Sequence, residues 1–87
     1  MNMTFSEVKK ALIKGIVKFT INDGGIIWEC TGTNNLDYLE LCNAKPNDLT
    51  PNENSLQFYD INERNWITVY ENEFVTVLNV YKLIKTI

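Results

Sequence analysis

Histidine is absent from the 87-residue chain. That removes the commonest general base and the commonest metal ligand. Cysteine occurs only at Cys30 and Cys42, and two thiolates without histidine leave a zinc site short of ligands. Both read as free thiols acting as small core residues in a reducing compartment. Serine occurs only at Ser6 and Ser55, neither in a nucleophile-elbow motif. There is no glycine-rich phosphate loop. Asp23-Gly24-Gly25 is too short and leads into a strand pattern. A carboxylate pair such as Glu29 with Glu40 is conceivable, but solvated strand charges are the simpler reading. We therefore expect no catalysis, no metal and no cofactor.

Positive charge is also scarce. The net charge of −3 argues against binding a nucleic acid duplex or a membrane surface, both of which need a basic footprint. No apolar run approaches the length of a membrane span. The N-terminus has no basic-then-apolar leader. A cytoplasmic protein is the expectation. At 87 residues the chain makes one domain, residues 1–87, with a thin core that oligomerisation would supplement.

What is present begins with a helix. Thr4 is a candidate N-cap with Glu7 three residues on, which makes a capping box, and Met3 with Val8 fits a hydrophobic staple. Phe5, Val8, Ala11 and Leu12 share a face, whereas Lys9, Lys10 and Lys14 point to water. Gly15 is the expected stop, in a left-handed conformation.

Beyond Gly15 the period changes to alternation. Ile16–Ile21 reads as a strand with Val17, Phe19 and Ile21 on one face. Asn22-Asp23-Gly24-Gly25 is a hairpin turn. Ile26–Thr31 follows as a second strand with Trp28 and Cys30 on one side. After the turn Gly32–Asn35, Leu36–Cys42 reads as a third strand, with Leu39 and Leu41 opposite Tyr38 and Glu40. Asn43–Asn54 holds both prolines and reads as a long loop, either a plain connection or a mobile rim over a binding site. Ser55–Tyr59 and Trp66–Tyr70 are strands about the turn Asp60–Asn65. In Glu73–Ile87 the β-branched content favours a strand. However, Thr76, Asn79, Lys82 and Lys85 recur every three residues, and acids precede lysines, which favours a helix. We read it as a helix. The expected fold class is α+β: an N-terminal helix packed on an antiparallel sheet of about five strands, with a C-terminal helix.

The remaining chemistry is that of a binding surface. Trp28, Tyr38, Tyr59, Trp66, Tyr70 and Tyr81 supply flat faces. Arg64, the only arginine, stands beside Asn65 and Trp66. A guanidinium grips phosphate bidentately, an indole stacks on a base and an asparagine reads a base edge. The plain alternative is a turn residue, a polar cap and a core tryptophan.

Met3–Gly15 resembles the opening of the Thoeris anti-defence sponge family of small phage proteins, in which a Phe-Ser-Glu-Ala-Leu type helix runs into a glycine stop. Asp60-Ile61-Asn62-Glu63-Arg64-Asn65-Trp66-Ile67 is similar to that family's closing signature. The basic stretch and Gly-Trp that follow the family's helix have no counterpart here, and Asn65-Trp66 stands where the family has Asp-Trp. The resemblance implies a phage protein of the infected cell's cytoplasm. It would sequester a cyclic nucleotide or cyclic ADP-ribose signal without turnover, as a homo-oligomer with pockets between subunits. The ligand-binding residues expected are Trp28, Tyr59, Arg64, Asn65 and Trp66. A small phage inhibitor that binds a host defence protein directly, like an anti-CRISPR, is the alternative.

Overall fold

The computed structural model describes residues 3–44 and 54–82. The chain runs α1 (Phe5–Lys14), β1 (Gly15–Asp23), β2 (Ile26–Thr33), α2 (Leu36–Leu41), β3 (Ser55–Asp60), β4 (Asn65–Tyr70), a 3-10 turn (Glu71–Glu73) and β5 (Phe74–Lys82). The strands form one antiparallel sheet in the order β4-β3-β2-β1-β5. The fold is α+β, with α1 packed on one face of the five-stranded sheet.

The opening helix forms as its sequence dictates. The Glu7 N–H donates to Thr4 Oγ1 at 3.1 Å, and the Thr4 N–H donates to Glu7 Oε1 at 2.8 Å. Phe5, Val8 and Leu12 are buried, Ala11 and Met3 pack at the edge, and Lys10 and Lys14 are exposed. Against this stripe lie Val17, Phe19, Ile21, Cys30, Leu56, Phe58, Val69 and Val77. The Phe19 and Phe58 rings meet edge to face, 5.1 Å between centroids, a favoured aromatic geometry.

Gly15 is not left-handed. Its φ of 178° is extended backbone, and it opens β1 directly. Glycine is needed there for space, because a Cβ would sit 2.0 Å from the Tyr81 carbonyl oxygen. The last carbonyls of α1 are satisfied from elsewhere, as helix ends require. The Asn34 N–H donates to the Leu12 carbonyl at 2.9 Å, and Asn35 Nδ2 donates to that of Ile13 at 3.0 Å. In the β1–β2 turn Gly24 and Gly25 do take positive φ, 59° and 95°.

Two segments exchange the expected types. Leu36–Cys42, expected as a strand, contains α2. Asn35 caps it, accepting from the Tyr38 N–H at 3.1 Å. The alternation of Leu39 with Leu41 is not a buried face: Leu39 is 4% exposed and Leu41 81%. Conversely, the segment expected as a C-terminal helix is strand β5 as far as Lys82, and residues 83–87 lie outside the described residues. Two register shifts against β1 explain the misleading period. They leave Val75 and Leu78 without partners, so the residues facing α1 are Phe74, Val77 and Val80. Each β-bulge adds one residue to the strand period of two, and a repeat of three results. The loop reading of Asn43–Asn54 lies largely outside the described residues.

Strand β2 pairs with β3 only at Gly32–Asp60 and Thr33–Tyr59, whereas it pairs with β1 along its whole length. The outer half of the β1–β2 hairpin therefore projects past β3. Among the described residues no helix is long and apolar enough to cross a membrane.

Candidate functional site

Alternation along β3 and β4 sorts the candidate residues by face. Phe58, Leu56 and Val69 face α1 and are buried in the core. Tyr59 and its cross-strand partner Trp66 consequently share the opposite face. Their rings lie 5.7 Å apart at 69°, an edge-to-face pair. Tyr59 is buried and Trp66 half-buried, so Trp66 presents the accessible part of the pair.

The turn before Trp66 is organised by one carboxylate. Asp60 is 3% exposed. Its Oδ1 accepts from the N–H groups of Asn62 and Glu63, at 3.0 and 2.9 Å, and its Oδ2 accepts from the Thr31 N–H at 3.3 Å. A buried carboxylate held by three N–H groups is satisfied and structural. Arg64 completes the turn with φ 54°, an uncommon conformation for a residue with a side chain. It is exposed. Asn65 is also exposed; its Oδ1 accepts from the Trp66 N–H at 3.0 Å, and its pairing with Asp60 sets it on the α1 side.

Trp28 does not join this group. It pairs with Ile21 and so lies on the α1 side of the sheet, 53% exposed, near the hairpin tip. Tyr59 and Trp66 are thus brought together as one cross-strand pair, Arg64 and Asn65 are exposed at the turn that leads into Trp66, and Trp28 sits on the other face.

Beside Trp28, Ile26 and Ile27 are also exposed. The sequence shows only their strand propensity; their exposure follows from the short β2–β3 pairing, which has no local sequence signal. A further open cleft of about 520 Å³ is lined by Asn54, Tyr70, Glu71, Asn72 and Glu73. Its carboxylates would repel an anionic ligand.

Among the described residues, no group of three or more cysteines and acids has a metal-binding arrangement. Both cysteines are free, Cys30 buried and Cys42 half-buried. Burial, reinforced by the negative charges of Asp60 and Glu29, pushes the Cys30 thiol up to about 11. It is protonated at neutral pH and unsuited to nucleophilic attack. Glu29 is engaged by Lys18 at 2.9 Å, an exposed ion pair of the expected solvated kind. No protein-family model, curated protein or solved structure matches the chain.

Proposed function

We propose that this chain is a non-catalytic binding protein that sequesters a small cyclic nucleotide or cyclic ADP-ribose signal in the cytoplasm of a phage-infected bacterium. The observation that carries the reading is the Tyr59–Trp66 pair on the sheet face away from α1. Tyr59 braces an indole that keeps part of its surface accessible, and base–aromatic stacking contributes about 1–3 kcal/mol per base. Arg64, exposed in the adjoining turn, supplies the planar fork that grips a phosphate. Asn65 stands at the border as a hydrogen-bonding group. The similarity of Met3–Gly15 and Asp60–Ile67 to the Thoeris anti-defence sponges supports the same reading. A second copy of the chain closes the pocket over Trp66.

Thermal melting of the purified protein with a panel of cyclic dinucleotides, cyclic trinucleotides and cyclic ADP-ribose isomers tests this. At least one member is expected to raise the melting temperature in a concentration-dependent way. A panel that leaves the melt unmoved sinks the proposal.

A second reading rests on a different observation. Ile26, Ile27 and Trp28 are 60%, 56% and 53% exposed on the projecting hairpin. Ile26 and Trp28 share the α1 side while Ile27 lies on the opposite face, so the hairpin offers exposed apolar groups on both faces. Exposed apolar surface of this kind marks protein interaction sites. On that reading the chain inhibits a host defence protein directly. Stoichiometric enrichment of one host protein, lost in Trp28→Ser, would favour it over the sponge.

A further inference from the structure

We propose that the cleft between α1 and β5, on the face opposite Trp66, is a binding site for a small organic anion with an apolar body. This goes beyond the reading above and stands independently of it. The cleft is a half-open groove of about 250 Å³, just under the size range of small-molecule sites. Its floor is apolar. Met3, Ala11 and Val80 line it and pack against the core from outside.

Its rim is cationic. Lys10 and Lys14 stand on exposed positions of α1, and Lys82 reaches the same side of the sheet because it pairs with Gly15, two residues before the core-facing Val17. None of the three forms an ion pair among the described residues. Among the described residues the rim holds one acid, Glu7, whose Oε1 accepts the Thr4 N–H at 2.8 Å and whose carboxylate interacts with Lys10. Lys10 is partly balanced by Glu7, while Lys14 and Lys82 add two further ammonium groups beside the same apolar floor, so the rim is net positive in a chain whose net charge is −3. That distribution opposes the molecule's overall sign and gives the cleft its charge complementarity for an anion. A carboxylate, sulfonate or phosphate would meet the lysines while an aliphatic or aromatic body covers Met3, Ala11 and Val80.

Titration of the full chain with anilinonaphthalenesulfonate, followed by fluorescence and by methyl NMR, tests the site. Saturable binding is expected, with the largest shifts at the Ala11 and Val80 methyl groups. The triple variant Lys10→Gln/Lys14→Gln/Lys82→Gln, altered only at exposed positions, should bind about tenfold more weakly or worse. Added salt should weaken the wild type. Trp66→Ala should leave binding at this cleft unchanged, which separates it from the proposed nucleotide site. Inorganic phosphate should bind far more weakly, since it lacks an apolar body. Absent binding, methyl shifts centred elsewhere, binding indifferent to the lysines, or phosphate binding as tightly would each overturn the assignment.

Discussion

At the scale of single residues, Thr4 and Glu7 carry a checkable pH dependence. The Thr4 N–H and hydroxyl, helped by Lys10, hold the Glu7 carboxyl below its ordinary value of 4.5. A carboxylate with a lowered folded value adds stability that is fully present above pH 4.5. That stability is lost as pH falls through the lower folded value. Glu7→Gln should therefore lose stability at neutral pH and show a flatter acid limb than wild type in melts between pH 7 and about pH 3. An unchanged slope would mean that the capping box does not form in solution. Thr4→Ala should cost about 1 kcal/mol by denaturant titration. The Cys30 thiol, raised to about 11 chiefly by burial, should resist alkylation of the folded protein. Mass spectrometry is expected to find Cys42 modified first.

Secondary elements differ in how openly the sequence declares them. The first helix and β1 were legible because cap, stripe and alternation agree there. The structure keeps the capping box, the buried stripe and the alternation, but extends the strand to Gly15–Asp23 and makes Gly15 its extended first residue rather than a left-handed stop. Leu36–Leu41 was not, since six residues are too few to separate a period of two from one of 3.6. Only the cap at Asn35 distinguishes them, and that cap depends on tertiary bonds to Ile13 and Gln57 through Asn35 and Asn34. Strand β5 was misread because bulges at Val75 and Leu78 convert alternation into a repeat of three. Of the site, the turn at Asp60 and the nearness of Arg64 to Trp66 were legible, because an acid followed by polar residues signals an Asx-type turn. The face on which Trp28 lies depends on long-range register and was not. Gly15 tests the packing of this region. A Cβ there meets the Tyr81 carbonyl oxygen at 2.0 Å, so Gly15→Ala must push β5 away from β1. A loss of about 3 kcal/mol is expected from such overpacking. A near-neutral variant would show that β5 does not close on Gly15.

For the whole molecule, the sheet separates two surfaces of different chemistry. The α1 side carries the lysine-rimmed cleft and Trp28, and the opposite side carries Tyr59 and Trp66. Exposed apolar residues on the edge strand β5, Val75, Leu78 and Tyr81, add surface that assembly would bury. If a second copy closes the proposed nucleotide pocket, light scattering at micromolar concentration should report a mass above that of one 10.1 kDa chain. A mass of one chain would remove the inter-subunit pocket. The central claim, capture without turnover at Trp66, is met most directly by ligand release. The protein is incubated with candidate cyclic nucleotides, freed of excess ligand and heat-denatured, and the supernatant is read by mass spectrometry. Intact ligand released from wild type but not from a folded Trp66→Ala variant is the predicted result. No ligand retained by wild type, ligand returned hydrolysed, or equal release from Trp66→Ala would contradict the account.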